Sequence, residues 1–345
     1  MRYPAFWQRR GLRSLLLWPL SLLVCVIAVR RRVRASARQR EIELPRPVLV
    51  VGNLTVGGTG KTPVLIALAQ ALQAEGVAVG VVSRGYGARI GVEPRDVAEA
   101  ASAAEVGDEP WLIHEATGVP VVVHPDRLRA AALLCARYPE IRLVLSDDGL
   151  QHHALPRRWN WVVLDARRGL GNRFCLPAGP LREPASGLDR AAVVLVNGAP
   201  DLASARALGG DRAQPVQFVL TGMKDLYTGR VWPLDEFLAG PGAEPLIALA
   251  AIGHPERFFA ALTALGLTLE TYALADHAPV PTGLRHHLRR SGQVVVMTEK
   301  DAAKWIVQRP GWHNQPGQVF AACGRIDLPA GLVASLIAEL PGESN

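Results

Sequence analysis

The stretch VVGNLTVGGTGKTP (residues 51–64) constrains the fold of this chain most strongly. It joins an apolar strand to a helix through a glycine-rich loop that ends in Lys-Thr. Glycines let consecutive backbone N–H groups face one centre, and the positive end of the following helix dipole points the same way. The pattern therefore predicts a cradle for the phosphates of a nucleotide. Its residues are Thr55, Val56, Gly57, Gly58, Thr59, Gly60, Lys61 and Thr62.

Two side chains of this loop have the chemistry of a P-loop. Lys61 can reach the β- and γ-phosphates of ATP, and the Thr62 hydroxyl is suited to bind the Mg²⁺ that bridges them. One position departs from the pattern G-x-x-x-x-G-K-[ST], because Thr55 stands where the first glycine is expected. An ordinary glycine-rich turn is the alternative, but the preceding strand and the apolar helix pattern of residues 64–72 favour phosphate binding.

Positive charge is concentrated at the N terminus. Residues 1–40 contain ten arginines and no acidic residue, whereas the other 305 residues contain 28 basic and 31 acidic side chains. The body therefore has no electrostatic footprint for nucleic acid, and we expect no nucleic-acid partner.

The arginines flank an apolar run, LLLWPLSLLVCVIAV (residues 15–29). A helix of that length spans about 22 Å, which is less than the ~30 Å hydrocarbon core of a bilayer. We expect residues 1–40 to be a peripheral or monotopic anchor that contacts inner-membrane lipids on the cytoplasmic side. A cleaved signal peptide is the alternative, although no small-residue cleavage site follows the run.

Apolar runs alternate with helical patterns through the rest of the chain. Over residues 41–213 the runs are typical of buried parallel strands, with helices predicted at 64–75 and 126–137 between them. We predict an α/β fold with a P-loop NTPase-like, doubly wound, mostly parallel sheet. Residues 214–234 are expected to form a two-stranded linker ribbon. Residues 235–345 are expected to form a second, smaller α/β domain that contributes to the active-site cleft.

Charged side chains follow several of these strands, at the sheet edge where open α/β proteins bind ligands. Asp147 and Asp148 come directly after the apolar run IRLVL, where a P-loop enzyme keeps the carboxylate that holds Mg²⁺. A solvated Asp-Asp-Gly turn is the alternative. After another strand, SRGYG offers Arg84 to a phosphate and Tyr86 as a stacking surface.

Two further segments carry candidate site residues. VGDEP places Asp108 and Glu109 before a helix, where a simple N-cap is the alternative role. The stretch RRGLGNRFCLPAGPLREP (residues 167–184) combines prolines and glycines into an irregular loop that carries Arg182 and Glu183. Stiff loops on a rigid scaffold commonly present functional groups.

Six blocks together resemble the tetraacyldisaccharide 4'-kinase family, the lipid A 4'-kinases of Gram-negative bacteria. They are GNLTVGGTGKTP, SRGYG, VGDEP, DDGLQH, GNRFCLPAGPLREP and TEKDAAK. The resemblance runs from the N-terminal anchor to about residue 305. It implies ATP-dependent phosphorylation of the 4'-hydroxyl of tetraacyldisaccharide 1-phosphate at the inner face of the inner membrane, giving lipid IVA.

The resemblance also implies roles for individual residues. Asp108 would take the proton from the attacking hydroxyl, with His277 as its orienting partner, and Lys61 and Arg182 would complete the catalytic set. The residues implied for the Mg²⁺ site are Thr62, Asp147, Asp148, Gln151 and Glu183. The residues implied for the substrate side or for a supporting layer are Arg84, Tyr86 and Glu109.

A membrane-attached P-loop ATPase that acts as a switch or partitioning protein is the alternative function. Such a protein would share GGTGKT and the anchor but would not need PAGPLREP or a base beyond the P-loop domain. A GTPase is disfavoured because TEKD does not match the guanine-binding Asn-Lys-x-Asp. The two functions differ in whether ATP turnover requires a disaccharide lipid.

Overall fold

The structure, a computed structural model, describes residues 3–39, 42–88, 90–252, 255–275, 278, 280–302 and 318–342. Its helices are α1 (Leu12–Gln39), α2 (Lys61–Ala74), α3 (Ala103–Val106), α4 (Asp108–Thr117), α5 (Arg127–Arg137), α6 (Leu202–Gly209), α7 (Leu234–Ala239), α8 (Pro255–Ala264), α9 (Thr282–Ser291) and α10 (Leu332–Ala338). Its strands are β1 (Val48–Gly52), β2 (Val79–Ser83), β3 (Arg95–Asp96), β4 (Val121–Val123), β5 (Leu143–Asp147), β6 (Trp159–Asp165), β7 (Val193–Asn197), β8 (Ala213–Asp225), β9 (Val231–Pro233), β10 (Leu246–Ala250), β11 (Leu269–Ala273), β12 (Val295–Thr298) and β13 (Val319–Asp327).

These elements belong to two compact units. The first contains Tyr3–Phe218 and the C-terminal residues 326–342, and the second contains the described part of Val219–Arg325. The C-terminal residues thus group with the P-loop unit, whereas the sequence pattern grouped them with residues 235–325. The reason is apolar packing, because Leu336 of α10 lies in the same buried cluster as Leu65 of α2.

The first unit is built on a sheet with strand order β8-β7-β6-β1-β5-β2-β4-β3. Its strands are parallel except for β3, which pairs antiparallel with β4. The strand β1 is central, with Val51 in register with Asp147 of β5 on one side and Trp161 of β6 on the other. Because strand order reverses at β1, the loop that follows it lies at a topological switch point, where ligands of open α/β sheets bind.

Both faces of this sheet are covered, as a doubly wound fold requires. Alternate residues of β1 point to opposite faces. Val51 belongs to the apolar cluster that includes Leu65 of α2, and Val50 belongs to the cluster that includes Leu134 of α5. The continuous apolar run of β1 therefore reflects burial on two sides.

The second unit has its own sheet, with strand order β11-β10-β12-β13-β8 and parallel pairing from β11 through β13. In the segment for which the sequence predicts a ribbon, the end of β8 pairs antiparallel with β9, with Met223 opposite Trp232. Apolar clusters lie around both Ala248 and Leu249, which are consecutive residues of β10.

The N-terminal helix α1 extends beyond the apolar run seen in the sequence. Residues Leu12–Ala35 form a helical segment that is long and apolar enough to cross a membrane. The arginine cluster after residue 29 continues the helix rather than ending it. The helix is therefore longer than residues 15–29 alone, and its peripheral or monotopic attachment to a membrane stays a prediction.

Candidate active site

The glycine-rich loop follows β1 and ends in the first turn of α2, where two asparagines hold it. Asn197, at the end of β7, donates from Nδ2 to the Thr59 carbonyl at 3.1 Å. Asn53 donates from Nδ2 to the Gly57 carbonyl and to Thr59 Oγ1, each at 3.3 Å. Gly60 is left-handed (φ 88°), and a Cβ there would lie 2.2 Å from Asn197 Nδ2. Position 60 thus requires glycine, because its backbone is left-handed and because a side chain would collide with Asn197.

The departure from the P-loop pattern at Thr55 has a local explanation. Thr55 is buried and forms an isolated antiparallel bridge with Leu181. The next residue, Val56, donates its N–H to the Pro180 carbonyl at 2.9 Å. The backbone at Thr55 is not left-handed, so the position does not require glycine.

Asp148 lies beside the P-loop and is paired with two cations. Lys61 Nζ lies 3.6 Å from Asp148 Oδ1, and Arg182 Nη1 donates to both carboxylate oxygens at 3.0 and 2.9 Å. Burial raises the pKa of Asp148, but the charges of Lys61 and Arg182 outweigh it and leave that pKa below the ordinary value. The carboxylate therefore stays ionised and holds both cations next to the loop.

Asp147 has the opposite electrostatic environment. Its side chain is 2% exposed, Oδ2 accepts a hydrogen bond from Ser83 Oγ at 2.9 Å, and Oδ1 has no hydrogen-bond partner among the described residues. Burial, and then the charges of Glu109 and Asp148, raise the pKa of Asp147 to about 7. A cation beside this carboxylate would favour its ionised form.

The donors near Asp147 fit Mg²⁺. Carboxylate oxygens are hard donors, and the buried Oδ1 of Asp147 has no hydrogen-bond partner among the described residues. Among the described residues, no three or more His, Cys, Asp or Glu side chains are grouped so that they could hold a metal ion by themselves. Mg²⁺ commonly binds through one or two carboxylates together with nucleotide phosphates, so the donor set agrees with that mode.

Gln151 links the Arg182 guanidinium to Glu183. Gln151 Oε1 accepts from Arg182 at 3.3 Å, while Gln151 Nε2 donates to Glu183 Oε1 at 3.1 Å. The buried Glu183 also accepts from Arg190 at 2.6 Å. Gln151 thus contacts Arg182 directly, whereas Glu183 contacts Gln151 and Arg190. The assignment of Gln151 and Glu183 to Mg²⁺ stays a prediction.

The VGDEP and SRGYG segments lie against each other. Gly107 has φ 100°, and a Cβ there would lie 2.8 Å from the Tyr86 carbonyl oxygen. This close approach places Asp108 and Glu109 in the first turn of α4. The charge of Glu109 raises the pKa of Asp147, so the start of α4 and the end of β5 face a common region. Tyr86 has an exposed side chain at this edge.

One buried cation supports the carboxylate pair and gave no signal in the sequence. Arg127 is 4% exposed and donates to the Asp147 carbonyl at 3.2 Å and to the His124 carbonyl at 3.3 Å. Desolvation lowers the pKa of Arg127. The charges of Asp147 and Asp148 oppose this shift, whereas the charge of the exposed Arg84 adds to it. Its position at the start of α5 could be predicted, but not its approach to β5, which depends on tertiary packing.

His277 lies outside the described residues, so its pairing with Asp108 stays a prediction. The remaining predicted residues converge on the carboxyl ends of β1, β2 and β5. Backbone N–H groups, Lys61 and Arg182 supply positive charge there, while Asp147, Asp148 and Glu109 supply carboxylates. This combination suits the transfer of a phosphoryl group, which needs positioning and charge neutralisation.

A protein-family model described as Tetraacyldisaccharide-1-P 4'-kinase matches residues 13–340. The chain belongs to this family. It is 46% identical over 302 residues to the tetraacyldisaccharide 4'-kinase of Stutzerimonas stutzeri (strain A1501), covering 86% of each chain. It is 43% identical over 310 residues to that of Bordetella petrii, covering 86% of this chain and 85% of the relative.

A solved structure agrees with this membership. The chain superimposes with a TM-score of 0.72 on the crystal structure of the "apo" form of LpxK from Aquifex aeolicus in complex with ATP. The two are 26% identical, and the match covers 95% of this chain and 99% of the other. The predicted family, the α/β fold and the enzyme class, a phosphotransferase with an alcohol group as acceptor, are confirmed.

Proposed function

We propose that this chain transfers the γ-phosphoryl group of ATP to the 4'-hydroxyl of tetraacyldisaccharide 1-phosphate, giving lipid IVA. Family membership supports this reaction. The observation that carries the mechanism is the cluster in which Asp148 holds Lys61 and Arg182 beside the P-loop. Two cations fixed before the nucleotide binds need little reorganisation to stabilise the charge of a transferring phosphoryl group.

The triphosphate would lie in the P-loop. Its oxygens would accept hydrogen bonds from the loop N–H groups, and Lys61 and Arg182 would contact the phosphates. Asn53 and Asn197 keep the loop in this conformation. We assign Gln151 and Glu183 to the orientation of Arg182, with Tyr86 and Arg84 toward the sugar or its phosphate.

Mg²⁺ would be held by Asp147, Asp148 and Thr62. When bound, it neutralises charge on the β- and γ-phosphates. The chain prepares this site by keeping the buried Asp147 carboxylate next to the paired Asp148.

Asp108 would accept the proton from the 4'-hydroxyl. It lies in the first turn of α4, where the helix dipole favours the anionic carboxylate. A carboxylate in this position is ready to accept a proton as the oxygen attacks phosphorus. His277 keeps its predicted role as the residue that orients Asp108.

The helix α1 would attach the enzyme to the cytoplasmic face of the inner membrane. Its exposed apolar residues include Leu12, Leu16 and Leu23. Arginines at both ends of the apolar run would contact anionic headgroups. The acyl chains of the substrate could then stay in the bilayer while its sugars reach the active site.

ATP consumption in detergent micelles tests this proposal. We expect consumption to depend on tetraacyldisaccharide 1-phosphate and to produce one lipid phosphate for each ATP. A 4'-deoxy analogue should bind without stimulating turnover. ATP hydrolysis that is independent of the lipid, with no phosphorylated lipid formed, would instead support the membrane-attached ATPase.

A further inference from the structure

A buried serine interrupts the apolar helix α1. Ser21 is 2% exposed, whereas its neighbours Leu20 and Leu22 are 54% and 45% exposed. Its Oγ donates to the Cys175 carbonyl at 2.7 Å and accepts from the Ala178 N–H at 3.0 Å. Ser21 thus satisfies two backbone groups of the irregular loop formed by residues 172–183, which we call the clamp loop.

Other N-terminal residues also hold the clamp loop. Trp7 Nε1 donates to the Pro177 carbonyl at 3.0 Å, and the Asn172 N–H donates to the Trp7 carbonyl at 2.7 Å. The buried Asn172 side chain then donates from Nδ2 to the Ala178 carbonyl at 2.8 Å. The N-terminal segment is therefore part of the packing of this loop.

The opposite side of the clamp loop supports the phosphate site. Pro180 accepts from the Val56 N–H at 2.9 Å, and the Arg182 N–H donates to the Leu54 carbonyl at 2.8 Å. The Arg182 side chain then pairs with Asp148. One short loop thus connects α1 to both the P-loop backbone and the cation beside it.

We infer that Ser21 is a positioning residue for the ATP site, acting through the clamp loop. Loss of its hydroxyl would leave the buried Ala178 N–H without the partner described here, and the Cys175 carbonyl with only the Gly179 N–H at 2.9 Å. An unsatisfied buried N–H favours movement of the loop. Pro180 and Arg182 would move with it. The inference rests on the proposed use of this site for ATP, and it gives the membrane helix a role beyond attachment.

The test compares Ser21→Ala with Ser14→Ala. Ser14 is also a buried serine of α1, but within the described part of the chain its Oγ bonds to the nearby backbone of Gly11 and Arg9. ATP affinity is measured by equilibrium dialysis in detergent without the lipid substrate. We expect Ser21→Ala to weaken ATP binding about fivefold or more, within the usual range of coupling between sites. Ser14→Ala should stay within about twofold of wild type on the same scale.

Two results would overturn the inference. One is wild-type ATP affinity in a folded Ser21→Ala protein. The other is an equal loss in Ser21→Ala and Ser14→Ala, which would indicate a general effect on α1. Trp7→Phe is a second probe, because it keeps an aromatic ring while removing the hydrogen bond to Pro177 and part of the packing of the buried indole. It should weaken ATP binding in the same direction.

A cysteine pair provides a rescue experiment. The Sγ atoms of Cys25 and Cys175 lie 2.7 Å apart, and both thiols are free. Diamide, a diazene oxidant, would accept two electrons and two protons from the thiols and become a hydrazine, while an S–S bond forms. This bond would tie α1 to the clamp loop at the residue that Ser21 holds.

Oxidised Ser21→Ala should regain most of its ATP affinity, and reduction should remove the gain. The double variant Ser21→Ala/Cys25→Ala should gain nothing from diamide. A verified Cys25–Cys175 disulfide without recovery would overturn the inference. Because the readout is ATP binding without lipid, failure here is distinct from failure of lipid phosphorylation.

Discussion

The raised pKa of Asp147 predicts that magnesium binding releases a proton from this residue. With a pKa of about 7, the carboxyl holds more of its proton at pH 6 than at pH 8. A cation at the buried carboxylate would favour the ionised form and displace that proton. The release attributable to Asp147 should therefore fall between pH 6 and pH 8, from most of a proton to a small fraction of one.

Isothermal titration calorimetry measures this release. Mg²⁺ is titrated into enzyme that holds a non-hydrolysable ATP analogue, in buffers with different ionisation enthalpies. The dependence of the observed enthalpy on the buffer gives the number of protons released. Asp147→Asn supplies the background from the nucleotide and all other groups. Equal release by wild type and variant at pH 6, with Mg²⁺ bound in both, would refute the reasoning.

Three further predictions concern the phosphate site and its surroundings. Lys61→Ala should lower kcat/KM for ATP by about 100-fold or more, because it removes a cation from the phosphates; steady-state kinetics that show less than a tenfold loss would contradict this role. Gly60→Ala should cost about 1–2 kcal/mol of backbone strain and displace Asn197, which would weaken ATP binding. Adding Asn197→Ala should relieve the clash but not the strain, so full recovery of unfolding stability in urea would contradict this interpretation. Burial lowers the pKa of both His152 and His153 to about 4. The unfolded chain then binds more protons than the folded one between about pH 6.5 and pH 4, so the free energy of unfolding should fall as the pH falls through that window. Denaturant unfolding at pH 7 and pH 5 checks this, and a His152→Gln/His153→Gln variant that keeps the full pH dependence would contradict the assignment.

The phosphate site could be predicted because its signals are local. The glycines, Lys61 and Thr62 lie in one short stretch, and Asp147 and Asp148 follow an unbroken apolar strand. Parallel pairing of β1 with β5 then brings the two segments together. The alternation of apolar runs and helices likewise predicts the doubly wound fold.

Other parts of the site depend on contacts between distant residues. Asn53 and Asn197 reach the P-loop from two different strand ends, and Arg127 donates to the end of β5. A single asparagine or arginine in the sequence does not indicate which distant backbone group it will contact. Polar side chains at strand ends next to a P-loop are candidates for such contacts, because the loop backbone needs hydrogen-bond partners there.

The N- and C-terminal segments show a similar limit. The apolar pattern of α10 is compatible with packing on either unit, and only the fold shows that Leu336 joins the cluster around α2. In the same way, Ser21 reads as a polar interruption in an anchor. Its contacts with Cys175 and Ala178 connect residues more than 150 positions apart.

The most direct test of the account is the transfer of labelled γ-phosphate from ATP to tetraacyldisaccharide 1-phosphate. Wild type is compared with Asp108→Asn and with Glu115→Gln, an exposed position on the same helix. We predict labelled lipid with the wild type and the control, and a loss of about 100-fold or more in kcat for Asp108→Asn, the usual contribution of a general base. ATP hydrolysis without labelled lipid would contradict the proposed reaction, and full activity of Asp108→Asn would contradict the assigned base.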